Sequence, residues 1–318
     1  MVAVVTGAAG FIGQTLVRML AERAGVLGVD RLPQPPTPGL TRIAADLLDA
    51  DPAVLRALAG AEVVYHLAGC PDVRDRRPDV THRRYRDNVL ATAAVLTAVP
   101  PDTRLVVASS SSVYGGTRGR RPSRESDRLR PRGSYARSKV LTEQLCDARA
   151  QAGGCVTVVR PFTVAGEGQR PGMALARWIA AARGGEPLTV FGSPARSRDI
   201  TDVRQVAAAL VDLGGCGTVD TVNLGTGVGH TLTELVDAVS RVLGVPVRTT
   251  VTRAEHIEVS HTLADTRALR RAIGWVPSTD LDDLLARQLS CLDAPPSALE
   301  PAALEPAASK PAALEAVP

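Results

Sequence analysis

Lysine is almost absent from this sequence. The chain has 318 residues and 37 lysines and arginines, but only two of them are lysines, Lys139 and Lys310. The formal net charge is +4, and the arginines are dispersed in short runs, so the composition does not indicate a nucleic-acid-binding protein. A small positive net charge of this kind is better suited to a small anionic substrate.

Aromatic side chains, paired cysteines and long apolar runs are also scarce. Aromatic residues make up 3% and hydrophobic residues 45% of the chain, so we expect a sizeable core of alanine, valine and leucine. The five cysteines form no C-x-x-C pair, which predicts a reduced, cytoplasmic protein without disulfides or a metal site. No apolar run approaches the ~20 residues of a membrane span, and Met1–Val5 resembles a strand rather than a signal peptide.

The lysine of the main body follows a tyrosine by four residues, in Tyr135-x-x-x-Lys139. Positions i and i+4 share a face of a helix, and an ammonium group beside a phenol favours the phenolate. The pKa of Tyr135 should therefore fall below its usual value of ~10, which would make it a general acid and base near neutral pH. Chance placement would give roughly 0.03 such pairs in this chain. The motif predicts a catalytic pair, aided by a serine from the preceding strand.

A glycine-rich turn follows the first predicted strand. Glycines at positions 7, 10 and 13 lead into a helix, and such glycines permit a tight turn and close approach of backbone N–H groups to a pyrophosphate. The second predicted strand ends at Asp30, where a carboxylate can bind ribose hydroxyls and repel a 2′-phosphate. This favours NAD over NADP, although Arg31 leaves NADP open and Asp30 could also be an ordinary turn residue.

Local patterns also predict the elements that carry other polar residues. We expect one continuous helix over residues 80–98, and a strand over 105–108 that brings Ser109–Ser112 to the carboxyl edge of a parallel sheet. Residues 197–203 are interpreted as a lead into a helix, and residues 262–274 as a further helix. His66, within a predicted strand, is interpreted as a packed residue rather than a ligand.

Together these features resemble the extended short-chain dehydrogenase/reductase family, over roughly residues 1–292. The motifs that carry the resemblance are Thr6-Gly7-x-x-Gly10-x-x-Gly13, Asp46-Leu47, His66-Leu67-Ala68, Asn88-Val89, Ser-Ser-x-x-Val113-Tyr114-Gly115, Tyr135-x-x-x-Lys139, Arg160-Pro161-Phe162 and Arg198-Asp199. The resemblance implies an α/β fold, with a Rossmann-type doubly wound parallel sheet and a smaller C-terminal α/β lobe that binds a nucleotide sugar.

The implied domains are an NAD-binding domain over residues 1–165, to which 199–225 returns, and a nucleotide-sugar lobe made mainly of 166–294. The tail, residues 295–318, is a degenerate Ala-Leu-Glu-Pro-Ala repeat that we expect to be disordered. The resemblance implies tightly bound NAD and the catalytic set Ser110, Tyr135 and Lys139. The implied cofactor contacts are Gly7, Gly10, Phe11, Ile12, Gly13, Asp30, Arg31, Asp46, Leu47, Leu67, Ala68, Gly69, Asn88, Tyr135, Lys139 and Pro161.

Within the family the chain looks most like the nucleotide-sugar 4-epimerases, which oxidise the sugar transiently at C4 and return the hydride to the opposite face. Ser111 and Ser112 stand where the related dehydratases usually have Asp and Glu, which counts against loss of water. Residues 162–174 resemble a segment of UDP-glucuronate 4-epimerases. This implies that the sugar carboxylate is held by Ser110, Ser111, Ser112, Thr163 and Arg170.

The resemblance also places the rest of the substrate. Thr189 and Phe191 fall where uracil lies in the family, and Arg198 where an arginine binds the diphosphate. For Arg170, a place on the diphosphate or in solvent is the alternative. Departures from the family pattern predict a sugar pocket of different shape; they are Gly69 for Ala, Ala165 for Tyr, Glu167 for Pro and Ile200 for an aromatic residue.

The function predicted is interconversion of UDP-glucuronate and UDP-galacturonate. The alternatives are a 4-epimerase of a neutral or unusual UDP-hexose, a decarboxylase of the 4-keto uronate, and a non-catalytic NAD-binding sensor. The resemblance further implies a homodimer through the helices at about 80–98 and 134–150, where several alanines permit close packing. No nucleic-acid or membrane partner is expected.

Overall fold

The computed structural model describes residues 2–293, except 72–74, 76, 118, 120, 218, 256 and 257. The tail, for which disorder was predicted, lies outside these residues. The strands are β1 (Ala3–Thr6), β2 (Val26–Asp30), β3 (Leu40–Ala44), β4 (Val63–His66), β5 (Arg104–Ala108), β6 (Val156–Pro161), β7 (Thr163–Ala165), β8 (Leu188–Phe191), β9 (Ser197–Asp202), β10 (Thr221–Leu224), β11 (Gly229–Thr231) and β12 (Thr249–Thr252).

The α-helices are α1 (Phe11–Ala21), α2 (Pro52–Ala59), α3 (Val80–Arg84), α4 (Ala91–Ala98), α5 (Gly133–Gln151), α6 (Ala174–Arg183), α7 (Val203–Gly215), α8 (Leu232–Leu243), α9 (Arg267–Ile273) and α10 (Leu281–Asp293). A π-helical segment, Tyr85–Leu90, joins α3 to α4, and a 3₁₀ turn, Ser111–Tyr114, follows β5. Among the helices of the described residues, none is long and apolar enough to cross a membrane.

A parallel sheet of seven strands forms the centre of the fold, in the order β10-β6-β5-β4-β1-β2-β3. Its strands are short apolar runs, and Val4, Val5, Val64 and Val107 are fully buried, as expected of strands covered by helices on both faces. One face packs against α1 and α7 and the other against α2 and α4. The predicted Rossmann-type sheet is confirmed, and its strand order reverses between β1 and β4, where open α/β sheets bind ligands.

Two smaller sheets lie outside the central one, with the orders β11-β9-β7 and β12-β8. Residues 197–203 were interpreted as a lead into a helix, and α7 does begin at Val203. The strand β9 formed by Ser197–Asp202 was not predicted; it pairs with β7 and β11. The helix predicted over 262–274 is wrong in its first part. The Thr262 N–H donates to the Ser197 carbonyl and the Thr262 carbonyl accepts from the Asp199 N–H, both at 3.1 Å. The helix begins only at Arg267.

The helix predicted over 80–98 is interrupted by the π-helical segment. Its buried residues are Asp87, Asn88 and Val89, and the Asn88 carbonyl accepts hydrogen bonds from the Thr92 and Thr142 hydroxyls, at 2.6 and 3.0 Å. A π-bulge of this kind is frequent at functional sites because it redirects side chains that regular helix would place elsewhere. The predicted division of the chain into domains stays a prediction.

His66, at the end of β4, joins the sheet to α4. Its Nδ1 lies 2.7 Å from the Thr6 hydroxyl and its Nε2 lies 3.0 Å from the Thr92 hydroxyl. The side chain is 2% exposed, and burial, helped by the charge of Lys139, lowers the pKa of His66 to about 3. His66 is therefore a neutral packed residue of the folded protein.

This burial predicts a loss of stability in mild acid. The unfolded chain binds a proton at His66 below its ordinary pKa of 6.5, whereas the folded chain binds it only near 3, so stability falls as pH drops from 6.5 towards 3. Between pH 7.5 and 5, His66 should account for about 2 kcal/mol of lost unfolding free energy. Urea unfolding at both pH values should show this loss in the wild type and a smaller loss in His66→Gln. His82→Gln, at an exposed histidine, is the control and should behave as the wild type; an equal loss in His66→Gln would contradict the assignment.

Candidate functional site

The glycine-rich turn joins β1 to the beginning of α1. Gly7 has a φ of 75°, and a Cβ there would lie 2.6 Å from the Ala68 backbone nitrogen at the end of β4. A Cβ on Gly13 would overlap the Gly7 carbonyl, so α1 packs directly against the turn. Gly10 caps α1, and Phe11 and Ile12 form its first turn. The turn thus directs the N-terminal N–H groups of α1 to the carboxyl edge of the sheet, an arrangement that binds phosphate groups.

Asp30 ends β2 beside this turn. Its Oδ2 accepts a hydrogen bond from the Ala9 N–H at 2.9 Å, and its Oδ1 accepts one from the Leu32 N–H, also at 2.9 Å. The carboxylate is therefore fixed between the glycine-rich turn and the loop after β2. This is the position from which an acidic residue binds the ribose hydroxyls of NAD.

Four charged residues form a cluster next to Asp30, at the ends of β2 and β3 and in the π-helical segment. Arg31 and Arg86 each contact both Asp46 and Asp87, at 2.8–3.4 Å. Burial opposes ionisation of Asp46, but the Leu48 N–H and the Arg86 side chain hold the pKa of Asp46 below its ordinary value. Leu47, beside it, packs partly buried against the core.

Residues Leu67, Ala68 and Gly69 follow β4 and form the floor of the site. A Cβ on Gly69 would lie 2.6 Å from Asn88 Oδ1 and 3.8 Å from Lys139 Nζ, which explains why the chain has no side chain here. The Asn88 amide accepts from the Cys70 N–H at 2.7 Å and donates to the Ser138 hydroxyl at 2.8 Å. Asn88 thus joins the loop after β4 to α5.

Tyr135 is buried near the beginning of α5 and is 8% exposed. Burial raises the pKa of Tyr135 above its ordinary value, and this is opposed by a hydrogen bond with the Ser110 side chain and by the charges of Arg170 and Arg84. The fall in the pKa of Tyr135 that was predicted from the Tyr-x-x-x-Lys spacing was wrong, because the effect of burial outweighs that of the neighbouring cations. The structure does bring Tyr135, Ser110 and Arg170 together.

Lys139 lies one turn further along α5 and is 7% exposed. Its Nζ donates to the Ala108 carbonyl at the end of β5, at 2.7 Å. Burial lowers the pKa of Lys139 to about 8, although the Cys146 and Glu143 side chains act in the opposite direction. An ammonium of this kind changes its charge close to physiological pH, which arginine would not do.

The serines after β5 and the residues after β6 form the other side of the site. Ser110 Oγ accepts from the Ser112 N–H at 3.1 Å and begins the 3₁₀ turn that contains Ser111. Within the described part of the chain, Ser112 Oγ is buried without a hydrogen-bond partner. Pro161 ends β6 and Thr163 begins β7, so both reach the same carboxyl edge.

The loop that carries Arg170 follows β7 and is held at its base by ion pairs. Glu167 is 8% exposed and pairs with Arg204 of α7 and, at 2.5 Å, with Arg287 of α10. Gln169 accepts a hydrogen bond from Gln288 of α10 at 2.7 Å. Glu167, which departs from the family pattern, therefore fastens the Arg170 loop to the C-terminal helix.

The residues predicted for the nucleotide lie on β8 and β9. The Thr189 carbonyl accepts from the Trp178 indole N–H at 2.9 Å, and the Arg177 guanidinium lies 5.9 Å from the centre of the Phe191 ring. Arg198 is partly buried and lies 3.6 Å from Glu258, so its charge is shared with that carboxylate. Sequence reasoning did not single out Arg177 or Trp178.

Two further charged residues near Tyr135 escaped the sequence analysis. Arg84 is buried, donates to the Ser134 hydroxyl at 2.5 Å and acts on the pKa of Tyr135. Glu143 follows Lys139 by four residues and forms a buried pair with Arg160, at 2.7 Å. The i+4 spacing of Glu143 from Lys139, and of Asn88 from Arg84, was the signal available in the sequence.

These features fit a dinucleotide. The glycine-rich turn leaves no room for side chains beside the α1 N-terminus, and Asp30 is fixed in the ribose-binding position. Within the described ranges there is no group of three His, Cys, Asp or Glu side chains that could hold a metal ion.

Comparison with known proteins agrees with this geometry. Residues 3–218 match the NAD dependent epimerase/dehydratase family. UDP-glucose 4-epimerase of Mycolicibacterium smegmatis is 33% identical over 304 residues, which cover 89% of this chain and 96% of that protein. The structure of MoeE5 in complex with UDP-glucuronic acid and NAD has a TM-score of 0.82 at 36% identity, and the comparison covers 92% of this chain and 99% of that one. MoeE5 in complex with UDP-glucose and NAD gives the same values.

UDP-glucuronic acid 4-epimerase of Bacillus cereus, in complex with UDP-glucuronic acid and NAD, has a TM-score of 0.84 at 26% identity, and the comparison covers 92% of this chain and 99% of that one. The family match covers well over half of the chain, and the predicted family and cofactor are confirmed. The protein belongs to the NAD-dependent epimerase/dehydratase family, within the extended short-chain dehydrogenases/reductases, and uses NAD as its cofactor.

Proposed function

We propose that this enzyme is a UDP-sugar 4-epimerase whose substrates are UDP-glucuronate and UDP-galacturonate. The observation that carries the proposal is the effect of the Arg170 charge on the pKa of Tyr135. The Arg170 guanidinium is therefore near enough to the proposed proton-transfer group for its charge to act on it, which suits a sugar with an anionic C6 group and a reacting C4 hydroxyl. The UDP-glucuronic acid complex of the Bacillus cereus epimerase supports this choice, whereas MoeE5 has been captured with both UDP-glucuronic acid and UDP-glucose.

NAD, when bound, supplies the reversible oxidation at the sugar C4. The glycine-rich turn would hold its pyrophosphate, Asp30 its adenosine ribose, and the residues after β4 and β6 its nicotinamide half. Lys139 would contact the nicotinamide ribose from α5, since its Nζ already lies at the end of β5. The same cofactor contacts serve any sugar, so they do not distinguish the candidate substrates.

Tyr135 is proposed as the acid and base that moves the proton of the O4 hydroxyl. Its hydrogen bond with Ser110 orients the phenol, and Ser110 would also contact the sugar O4. Burial disfavours the phenolate, whereas the charges of Arg170 and Arg84 favour it. The ammonium of Lys139, four residues further along α5, is proposed to add to their effect. The chemistry requires that one proton be taken from O4 and later returned to it.

The sugar carboxylate is assigned to Arg170, Thr163 and the serines of the 3₁₀ turn. Ser112 Oγ is buried and lacks a hydrogen-bond partner among the described residues, so a carboxylate oxygen would satisfy it. The serines cannot serve as the acid/base pair of a dehydratase. Thr189, Phe191 and Arg198 are proposed for the uracil and the diphosphate, and the Arg177 guanidinium close to Phe191 extends this nucleotide end.

The enzyme is further proposed to be a cytoplasmic homodimer. Tyr85 and Leu90 of the π-helical segment and Leu141 of α5 are large hydrophobic residues with 39–48% of their surface exposed. They lie on the two helical segments through which the family resemblance implies pairing, and the segments pack against each other within the chain. A second copy would cover them.

Removal of the Tyr135 hydroxyl tests its proposed role as acid and base. Tyr135→Phe should lower epimerase turnover by about 10²–10⁴, the usual contribution of a general acid/base, and should leave NAD bound. Proton NMR of UDP-glucuronate incubated with the purified protein measures the conversion, and chromatography of the nucleotides released on denaturation measures NAD. Tyr85→Phe, at an exposed tyrosine, is the matched control and should stay active. Unchanged turnover in Tyr135→Phe would exclude the mechanism, and no turnover in the wild type with any UDP-sugar would favour an NAD-binding sensor.

Substitution of Arg170 distinguishes a uronate substrate from a neutral sugar. Arg170→Ala should lower kcat/KM for UDP-glucuronate by the equivalent of about 2–5 kcal/mol, since a charge-assisted pair is lost, and should leave UDP-glucose turnover nearly unchanged. Arg177→Ala, at the nucleotide end, is the control and should affect both substrates equally. Equal losses in Arg170→Ala would contradict the carboxylate assignment. Release of the carboxyl carbon to give a UDP-pentose would instead indicate a decarboxylase.

A charge on the exposed face of α5 tests the proposed dimer. Leu141→Arg places a charge on the surface proposed to pair and should convert the protein to monomers, because an unpaired charge in an apolar interface is strongly disfavoured. Analytical ultracentrifugation measures the mass. Val251→Arg, at an exposed valine of β12, is the control and should leave the mass unchanged. A wild type that sediments as a monomer would rule out the dimer.

A further inference from the structure

The charged cluster of Arg31, Asp46, Arg86 and Asp87 lies where the adenosine half of the cofactor must bind, next to Asp30. It contains an arginine placed directly after the ribose-binding carboxylate, the position from which arginines accommodate the 2′-phosphate of NADP. We propose that Asp87 makes the enzyme selective for NAD by holding the Arg31 guanidinium away from a 2′-phosphate. The proposal does not depend on which sugar the enzyme converts.

The Arg31 side chain is engaged by Asp87 at both of its terminal nitrogens. Nη1 donates to Asp87 Oδ1 at 3.2 Å and Nη2 donates to Asp87 Oδ2 at 3.0 Å, while Nη1 also lies 3.4 Å from Asp46 Oδ2. Burial by itself would lower the pKa of Arg31, but the hydrogen bond with Asp87 and the charge of Asp87 raise it above its ordinary value. A bidentate carboxylate therefore occupies the same fork that would bind a phosphate.

Arg86 cannot take over the role of a phosphate ligand, because it is engaged in the same way. Its Nη1 donates to Asp87 Oδ1 and its Nη2 to Asp46 Oδ2, both at 2.8 Å. With Asp30, which lies next to the cluster, the region holds three carboxylates and two guanidinium groups, so it has a net negative charge. A dianionic 2′-phosphate would meet this charge and would also have to displace Asp87 from Arg31.

Asp87 is the member of the cluster best placed to control Arg31. Its side chain is 7% exposed, compared with 48% for Arg31, and the π-helical segment fixes its position. Asp46 contacts Arg31 at one longer distance and uses its Oδ1 for the Leu48 N–H. Asp30 uses both oxygens for backbone N–H groups and does not contact Arg31 in the structure.

The experiment measures which cofactor is bound, without any turnover. The purified protein is equilibrated with a known mixture of NAD and NADP, and the nucleotides retained by the protein are released by denaturation and quantified by chromatography. Asp87→Asn keeps the size of the side chain but removes its charge, so it should raise the bound NADP/NAD ratio about tenfold over the wild type. Asp46→Asn should raise it less, since Asp87 still holds Arg31.

Arg31 provides the decisive comparison. Adding Arg31→Ala to Asp87→Asn should abolish the gain, because the released guanidinium is what binds the phosphate. Arg31→Ala alone should change the bound NADP/NAD ratio by no more than about twofold from the wild-type value. This variant tests the proposal even if Asp87→Asn does not fold. The proposal is overturned if Asp87→Asn leaves the ratio unchanged, if its gain survives Arg31→Ala, or if Arg31→Ala alone lowers NADP binding about tenfold.

Discussion

The ion pair between Glu143 and Arg160 is the interaction on which the catalytic half of the structure depends. Both side chains are 6% exposed, and the guanidinium donates to both carboxylate oxygens, at 2.9 and 2.7 Å. The pair also reaches Ser109, which donates to Glu143, and Tyr114, whose hydroxyl accepts from Arg160. Removing one partner of such a buried pair leaves an uncompensated charge and costs about 3–5 kcal/mol. The pair therefore fixes α5 against β6, the end of β5 and the 3₁₀ turn at once.

This anchoring matters because α5 has few apolar contacts that could set its position. Its buried residues include Ser138, Lys139, Thr142 and Glu143, so the helix is held in the protein by polar partners on its inner face. Hydrogen bonds and ion pairs fix direction more narrowly than apolar packing does. Lys139 lies one turn and Tyr135 two turns before Glu143 on the same helix, so a helix fixed at Glu143 also positions the phenol beside Ser110 and the ammonium at the end of β5.

Elements bounded by glycine and proline could be predicted closely from the sequence, and those made by tertiary pairing could not. Strand β2 was predicted to end at Asp30, as found, and β5 was predicted to within one residue, because short apolar runs end at clear turn signals. Strand β9 was missed because its polar residues are satisfied only by distant segments. In the candidate site, the motifs predicted which segments reach the ends of the strands. They could not predict the contacts of Arg31 with Asp87 and of Glu167 with Arg287, which join residues 56 and 120 positions apart. Burial of Tyr135, which reversed the expected pKa shift, is likewise a property of the assembled fold.

The two ends of the site are therefore controlled by different kinds of contact. The cofactor end consists of strand ends and a glycine-rich turn, whose geometry is set by backbone packing within one sheet. The sugar end depends on a loop held by side chains: Arg287 of α10 bridges Glu167 and Asp202, and Gln288 supports Gln169. Since Arg170 directly follows Gln169, its placement depends on α10 and also on α7, whose Arg204 pairs with Glu167. On the proposed assignment of Arg170 to the sugar, substitutions in this loop and in α10 are expected to change the sugar that is accepted, while Tyr135 and the cofactor stay in place.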